Sequence, residues 1–315
     1  MHRFLALVPA LLVAACSTVR PSAEQPPPPA DLTEPDPPSQ PFFADEPRWR
    51  PIYHGIEFAE LATDVPRPLV VSALRIDTGA EGLELVTTPG NGEAPLETNG
   101  QTTRAFLEEH GLAVAINTHF FSPCCNLVPG EPKDLVGLAI AQGELVSPVS
   151  SESQRDIFIF EAGVHDDSAL DAIMLTSIQL DQMEHFAPTH AIAGRTILDQ
   201  GGIVASGDDF ATARHPRTLV GVSDDHTTLY LVTIDGRQPG YSTGASLAEA
   251  AAILFHLGAD MALNVDGGGS TTMIIRDPDG ASQLGNSPSG GFERVVGSNL
   301  GFRAARLQPG TSQNR

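Results

Sequence analysis

The sequence has 315 residues and a formal net charge of −21 at pH 7, and 41% of its residues are hydrophobic. This charge argues against nucleic acid and anionic surfaces as partners, because both would be repelled. The apolar fraction is sufficient for a sizeable core. An anionic substrate would need a local cluster of positive groups that opposes the overall field.

The amino terminus predicts an exported, lipid-anchored protein. After Arg3, the apolar run over residues 4–15 is shorter than the roughly 20 residues that span a bilayer, and it fits a signal peptide over residues 1–15. Small residues before Cys16 resemble the bacterial lipobox, whose cysteine carries the lipid. Ser17 follows, which in enterobacterial lipoproteins favours the outer membrane, so we expect a periplasmic or surface location there. An ordinary signal peptide is the alternative.

Composition divides the rest of the chain into three parts. Residues 16–50 predict a lipidated, disordered tether, since prolines lie among acidic and polar residues with almost no aliphatic side chain to bury. Residues 51–305 predict a single folded domain, and residues 306–315 predict a disordered tail. The expected fold class is α+β, with mixed, largely antiparallel sheets and a few packed helices.

Apolar runs predict most of the strands. In chain order, strands are expected over residues 69–76, 83–87, 112–117, 135–141, 145–146, 156–160, 171–180, 191–204, 218–222, 227–234, 262–265, 272–275 and 295–302. The run 112–117 is apolar on both faces and is expected to be central. Residues 102–110 predict a helix, and residues 246–257 predict another, with a capping box at its start and Gly258 at its end.

The two remaining cysteines, Cys124 and Cys125, are adjacent. In an exported protein they are either two free buried thiols, a vicinal disulfide or metal ligands. No CxxC or HxxxH spacing accompanies them, so a zinc site has little support. Lys133 is the only lysine in a chain whose other basic residues are arginines, which draws attention to its position.

The strongest chemical signal follows the predicted strand 262–265. Three successive glycines allow a tight turn and leave backbone N–H groups able to approach a ligand oxygen. The turn and its flanks supply a carboxylate, bare amides and two hydroxyls, from Asp266, Gly267, Gly268, Gly269, Ser270 and Thr271. A plain hairpin turn is the alternative when this segment is taken alone.

Polar residues also follow or precede other predicted strands. Arg214, Arg217 and Thr218 stand at the start of the strand 218–222, where two guanidinium groups suit a phosphate or carboxylate. Surface arginines are the alternative. Asp235 ends the next strand, and Asn117 ends the central one. Groups in these places predict a cleft at the rim of a sheet.

The order and spacing of these stretches resemble the phosphodiester glycosidase family. The resemblance covers roughly residues 69–303, and its matching stretches are Ala115-Ile116-Asn117, Phe120-Phe121, Gly137-Leu138-Ala139-Ile140, Arg214-His215-Pro216-Arg217-Thr218, Asp235-Gly236-Arg237, the helix that ends Leu257-Gly258-Ala259, Asn264-Val265-Asp266-Gly267-Gly268-Gly269-Ser270-Thr271, and Asn286-Ser287-Pro288 with Arg294. Thr118-His119 departs from the small residues that the family often has there. The cysteine pair and Lys133 look like features of a bacterial subgroup.

The resemblance implies a single catalytic domain that hydrolyses the glycosidic bond of a sugar-1-phosphodiester, of the N-acetylglucosamine type. Asp266 is then the expected nucleophile or base, and Asp235 is the alternative. His119 is either an added acid or base or a packing residue, and Asn117 is expected to bond the sugar. The expected phosphate-binding groups are Arg214, Arg217, Thr218, Arg294, Lys133 and the turn of Gly267, Gly268, Gly269, Ser270 and Thr271.

Other function classes stay open at this point. One is a glycan-binding or exopolysaccharide-export component without catalysis. Another is a metal-dependent phosphodiesterase that cuts the P–O bond, although the ten histidines are scattered and lack paired ligand spacing. No cofactor is expected to be required, and a structural divalent cation such as calcium stays open. The expected partners are a phosphodiester-linked envelope or extracellular glycan and, through the lipid, the membrane.

Overall fold

The computed structural model describes residues 42–43, 46–125, 128–149, 156–162, 170–175, 186–205 and 207–307. The predicted signal peptide, Cys16, most of the tether and the last eight residues lie outside these ranges, so their predictions stand as made. No helix within the described ranges is long and apolar enough to cross a membrane.

The described ranges contain twenty strands and three helices. The strands are β1 (Arg50–Tyr53), β2 (Ile56–Thr63), β3 (Leu69–Asp77), β4 (Glu84–Thr87), β5 (Thr98–Asn99), β6 (Val114–Asn117), β7 (Phe121–Ser122), β8 (Pro132–Leu135), β9 (Ala139–Ala141), β10 (Glu144–Ser147), β11 (Asp156–Ala162), β12 (Leu170–Leu175), β13 (His190–Asp199), β14 (Gly202–Ile203), β15 (Arg217–Val222), β16 (Thr228–Ile234), β17 (Met261–Asn264), β18 (Met273–Arg276), β19 (Ser282–Leu284) and β20 (Asn299–Arg303). The helices are α1 (Thr103–Glu109), α2 (Asp209–Thr212) and α3 (Leu247–Leu257).

The strands form three sheets whose pairings among the described residues are all antiparallel. The largest follows the order β1-β2-β3-β16-β15-β17-β13-β11-β12, with β9, β10 and β14 attached. The second follows β19-β18-β6-β20-β4, and the third follows β5-β8-β7. Largely antiparallel sheets and a central strand β6 are confirmed. The α+β class is correct only in part, because the helices are short and the sheets dominate.

Two apolar layers hold the sheets and the longest helix together. Between the two larger sheets, Leu74 and Leu231 of one belong to the same buried cluster as Ile116 and Leu300 of the other. On the opposite face of the large sheet, α3 packs against β15 and its neighbours in a second cluster. The central strand β6 contributes Val114 and Ile116 to the layer between the two larger sheets.

The predicted helix α3 forms as its caps require. Ser246 Oγ accepts the Glu249 N–H at 3.2 Å, and Glu249 Oε2 accepts the Ser246 N–H at 2.9 Å, which satisfies two otherwise unpaired amides. At the other end Gly258 has a φ of 107°, a left-handed conformation that suits glycine. The capping box and the glycine stop are confirmed.

The amino-terminal boundary of the folded part lies earlier than predicted. β1 and β2 form an edge hairpin that the strand predictions missed. Phe42 and Phe43 are buried against the same apolar cluster as α3, and the Arg67 guanidinium lies 5.3 Å from the centre of the Phe42 ring. Packed structure therefore reaches into residues that were predicted to belong to the tether. The predicted strand 171–180 is present as β12 up to Leu175, and its remainder lies outside the described residues.

Candidate active site

The predicted cleft lies where strand ends of the large sheet meet. β15 runs antiparallel to both β16 and β17, so the start of β15 shares an edge with the ends of its two neighbours. The segments before β15, after β16 and after β17 therefore come together, as the sequence predicts. The Asp266 N–H donates to Thr118 O at 2.8 Å, which joins this edge to the end of β6 in the second sheet.

Glycines allow these segments to approach backbone to backbone. A Cβ on Gly236 would lie 2.7 Å from Gly244 Cα and 2.7 Å from Pro216 N, and one on Gly244 would lie 2.6 Å from His215 C. A Cβ on Gly267 would lie 2.8 Å from Pro216 O. No side chain fits in these places, since real Cβ atoms keep a larger distance from backbone. The glycines therefore set how closely the chemical groups of the cleft converge.

Where these segments converge they line a cavity of about 140 Å³ that is open to solvent. Its lining combines aromatic rings, positive side chains, one carboxylate and the glycine turn, from Phe120, Phe210, His215, Arg217, Arg237, Asp266, Gly267, Gly268, Gly269 and Arg294. Six of these ten residues were predicted from the sequence. A chain with a net charge of −21 thus has a cavity in which positive groups outnumber negative ones.

Asp266 is the only carboxylate among the described residues that line the cavity. Burial raises the pKa of this carboxyl to about 6, because the charged form loses solvation. A hydrogen bond from Ser270, the charge of Arg294 and the Gly267 amide oppose this rise in the pKa. A carboxyl with such a pKa is ionised at neutral pH and is still basic enough to accept a proton.

Three arginines line the cavity together with this carboxylate. Arg217 is almost fully buried, donates from Nε to Ala245 O at 3.0 Å and from Nη2 to Phe210 O at 2.8 Å, and lies 4.6 Å from the centre of the Phe210 ring. Burial, followed by the charges of nearby arginines, lowers the pKa of Arg217 to about 10. Arg294 Nη1 donates to Ser270 Oγ at 3.4 Å.

The third arginine, Arg237, contacts a histidine instead of a carboxylate. Its Nη2 lies 3.1 Å from His215 Nδ1, which must therefore be an acceptor with the ring neutral. Burial, then the charges of Arg237 and Arg217, lower the pKa of His215 and favour this neutral form. Arg237 has a φ of 58°, a left-handed conformation that is rare for residues other than glycine and is often found at functional sites.

None of the three cavity arginines forms an ion pair with a carboxylate of the described residues. In contrast, six other arginines do so, namely Arg67, Arg75, Arg104, Arg195, Arg214 and Arg303. Guanidinium groups that converge without a carboxylate partner are suited to bind an anion, above all a phosphate.

Asn117 lies behind the cavity and not in its lining. Its Nδ2 donates to Asp266 O at 2.6 Å, and its Oδ1 accepts the Thr218 hydroxyl at 2.8 Å and the Thr272 N–H at 3.0 Å. Asn117 and Thr218 are both fully buried. The geometry therefore gives these two residues a positioning role for the Asp266 segment, and the bond from Asn117 to a sugar stays a prediction.

Asp235 is also directed away from the cavity. Its two oxygens accept hydrogen bonds from Asn286 Nδ2 at 2.9 Å, from the Tyr241 hydroxyl at 3.0 Å and from the Ser287 N–H at 3.0 and 3.1 Å. Burial raises the pKa of this carboxyl, and these donors oppose the rise. Asp235 thus holds the segment at 286–287 in place through hydrogen bonds. A carboxylate whose oxygens are occupied in this way is poorly suited to be the reacting group.

Arg214 and His119 do not line the cavity either. Arg214 is exposed and pairs with Glu249 at 3.3 Å. His119 is buried, with Nε2 3.0 Å from Leu138 O and Nδ1 3.2 Å from Ser298 Oγ. Burial lowers the pKa of His119 to about 4, so the ring is neutral. Of the two interpretations of His119, its surroundings fit the packing residue.

The glycine turn offers fewer amides than the sequence suggests. The Gly268 N–H donates to Pro216 O at 2.8 Å and is therefore occupied. Ser270 and Thr271 are buried, and the Ser270 hydroxyl bonds Asp266 and accepts from Arg294. The turn instead leaves space for the Arg294 guanidinium, since a Cβ on Gly269 would lie 2.1 Å from Arg294 Nη2.

We expect Gly269→Ala to lower kcat/KM about tenfold with little change in stability. The new methyl group displaces the Arg294 guanidinium, and a small misplacement of a binding group is costly for catalysis. The atom that the new methyl group meets is the end of a flexible side chain, so Arg294 moves and the fold remains. Gly90→Ala is the matched control, since its Cβ would make only ordinary contacts of 3.8 Å or more. Steady-state kinetics and thermal unfolding of both variants test this; an unchanged kcat/KM in Gly269→Ala would contradict it.

Cys124 and Cys125 are joined by a disulfide in this structure, which is one of the three predicted states. Lys133 is fully buried, with its Nζ 3.1 Å from Pro123 O at the start of that loop. Neither the pair nor the lysine lines the cavity. No group of three or more His, Cys, Asp or Glu in the described part of the chain could hold a metal ion.

Four lining residues were missed by the sequence analysis. His215 and Arg237 stand inside motifs whose other members were predicted for the site, His215 next to Arg214 and Arg237 two residues after Asp235. Phe120 also stands in a quoted stretch. Phe210 lies on the short helix α2, in a segment without any sequence signal for a site.

A cavity that one carboxylate and three arginines line together is suited to bind an anion. The phosphodiester glycosidase family model matches residues 110–303, and the chain belongs to this family. No functionally curated protein matches it significantly. The family match confirms the resemblance that the sequence motifs indicated.

Solved structures show the same fold at low sequence identity. The zebrafish N-acetylglucosamine-1-phosphodiester alpha-N-acetylglucosaminidase catalytic domain, auto-inhibited by its pro-peptide, has a TM-score of 0.57 and 19% identity over 84% of this chain and 87% of its own. A Burkholderia pseudomallei protein provisionally named as exported has a TM-score of 0.57 and 19% identity, over 75% and 74%. A hypothetical protein from Synechocystis has a TM-score of 0.52 and 17% identity, over 82% and 64%.

Proposed function

We propose that this protein hydrolyses the glycosidic bond of a sugar-1-phosphodiester, of the N-acetylglucosamine type, in envelope or extracellular glycans. The observation that carries the proposal is a cavity that three arginines and a single carboxylate, Asp266, line together. The family and the name of the zebrafish relative support the same bond type. The predicted signal peptide and Cys16 support an envelope substrate, with the enzyme exported and lipid-anchored.

The phosphate is bound by the arginines in this mechanism. Arg217, Arg237 and Arg294 all line the cavity and offer charged N–H groups to it. When the glycosidic C–O bond breaks, its electron pair remains on the phosphate oxygen, and these cations stabilise the charge that develops there. A strong general acid is then not needed, which fits a cavity whose histidine is held neutral.

Asp266 acts on the sugar side. Its carboxylate either attacks the anomeric carbon or takes the proton from the attacking water, and the pKa of about 6 leaves it ionised for both roles at neutral pH. Asn117 holds the Asp266 carbonyl and so fixes the position of the carboxylate. Phe120 and Phe210, whose ring centres are 6.1 Å apart, provide an apolar surface on which a sugar ring can lie.

The assay for this function uses purified protein and a panel of sugar-1-phosphodiesters that carry a chromogenic alcohol on the phosphate. We expect release of free sugar and of the alcohol as its phosphate monoester. Release of sugar-1-phosphate would instead indicate P–O cleavage by a phosphodiesterase. Binding of the panel without any release would support the glycan-binding alternative.

The pH dependence of kcat/KM follows from Asp266. As the pH falls through about 6, the carboxylate of the free enzyme becomes protonated and can no longer attack or accept a proton. We therefore expect kcat/KM to be constant above this pH and to fall about tenfold for each unit below it. A pH profile measured with a substrate whose phosphodiester stays anionic throughout tests this, and activity that rises toward acid would contradict it.

A further inference from the structure

We propose that the cavity selects a phosphate monoester dianion over singly charged anions, so that it retains the phosphate-bearing product of the reaction. The inference rests on the proposed function for the identity of that product. It rests on the charges of the cavity alone for the selectivity.

The side chains that line the cavity carry more positive charge than a singly charged anion can neutralise. Arg217, Arg237 and Arg294 contribute three positive charges, Asp266 contributes one negative charge when ionised, and His215 is neutral. These are all the titratable side chains among the described lining residues, and they leave two positive charges. A phosphodiester carries one negative charge, whereas a phosphate monoester carries nearly two at pH 7, since its second pKa is about 6.

The reaction moves the ligand toward the doubly charged state. The C–O bond between the anomeric carbon and the phosphate oxygen breaks with both electrons on that oxygen. Water supplies a hydroxyl group to the anomeric carbon, and its proton passes to Asp266 and then to solvent. The phosphate thus gains one negative charge while the arginines stay in place. An excess of two positive charges is therefore matched to the late transition state and product rather than to the substrate.

The burial of Arg217 supports this assignment. The residue is 1% exposed, and among the described residues its guanidinium donates only to carbonyl oxygens, through Nε to Ala245 and through Nη2 to Phe210 and Ala213. Carbonyl groups do not neutralise a charge, and the more distant charges of Asp208 and Glu249 only partly offset the cost of burying this one, since the pKa of Arg217 is still lowered. A doubly charged ligand removes more of this cost than a singly charged one.

The same geometry separates binding from catalysis. Asp266 is the group that would react, yet its negative charge repels an anion in the cavity. Asp266→Asn should therefore abolish hydrolysis and strengthen phosphate binding. A residue whose only role is to support the fold would not produce these opposite changes.

Titration calorimetry with phenyl phosphate and phenyl sulfate at pH 8 tests the proposal, because the two probes have similar shapes but carry two and one negative charges. We expect phenyl phosphate to bind at least about tenfold more tightly than phenyl sulfate. Arg237→Gln should remove most of this preference, and Asp266→Asn should strengthen phenyl phosphate binding severalfold. Arg75→Gln, at an ion pair with Glu57 on another part of the sheet, is the matched control and should behave like the wild type.

Equal affinity for the two probes, or weaker phenyl phosphate binding in Asp266→Asn, would overturn the proposal. A preference for phenyl phosphate that Arg237→Gln and Arg75→Gln reduce equally would also overturn it. The proposed hydrolysis fails separately, through the release assay. If the preference is present and no sugar is released, the cavity is a phosphate monoester site without the proposed catalysis.

Discussion

Asp266→Asn is expected to lower kcat on a sugar-1-phosphodiester at least about a thousandfold, since a positioned base or nucleophile contributes on that order. An amide is nearly isosteric with the carboxylate but can neither attack the anomeric carbon nor accept a proton. The fold should be retained. The pKa of Asp266 is raised from 3.8 to about 6 in the folded state, so this carboxyl lowers stability as the pH rises through that range, and the full cost is present above about 6. At pH 8 the unfolding temperature of the variant should therefore be unchanged or higher.

The controls for this variant are two other aspartates. Asp279→Asn changes an exposed carboxylate and should leave kcat unchanged. Asp235→Asn disturbs a carboxylate with four hydrogen bonds from Asn286, Tyr241 and Ser287, so we expect a lower unfolding temperature. If Asp235→Asn lost turnover at full stability while Asp266→Asn stayed active, Asp235 would be the reacting group.

Asn117→Ala is expected to have the largest effect on stability. The substitution leaves the Thr218 hydroxyl, the Thr272 N–H and the Asp266 carbonyl without their partner in a fully buried place. Unpaired buried groups of this kind should lower the free energy of unfolding by roughly 3 kcal/mol. For a domain of this size the unfolding temperature should fall by roughly 6 to 12 °C.

The matched control is Asn91→Ala, whose side chain makes one exposed hydrogen bond, to Pro95 O at 3.0 Å. Its effect should stay below about 1 kcal/mol. At temperatures where Asn117→Ala is still folded, kcat should also fall, because the Asp266 segment is no longer held. A variant that is as stable as the wild type and only raises KM would instead support the predicted contact between Asn117 and the sugar.

Much of the fold could be predicted because local signals and long-range packing agree. The strands at 69–76, 114–117 and 217–234 follow apolar runs that are buried in the structure, and α3 has its caps in the sequence. The edge hairpin β1–β2 was missed because its pattern is weak and prolines precede it. The burial of Phe42 and Phe43 depends on a surface formed by distant residues, which no local pattern reveals.

The position of the candidate site could be predicted from the sequence, but the role of each residue in it could not. Strand ends carry the motifs, and antiparallel pairing brings those ends together, so the cleft followed from the order of elements. Which member of a motif faces the cavity depends on side-chain direction, and here Arg237 does while Asp235 does not. Arg214 and Arg217 are three residues apart, yet one pairs with Glu249 at the surface and the other lines the cavity.

We propose that water supplies its oxygen to the sugar and that the phosphate leaves with the bridging oxygen. Hydrolysis of a sugar-1-phosphodiester in water enriched in oxygen-18, followed by mass spectrometry of both products, tests this most directly. We expect the label in the hydroxyl group at the anomeric carbon of the released sugar and an unlabelled phosphate monoester. Label in the phosphate would contradict it, because the bond broken would then be the P–O bond.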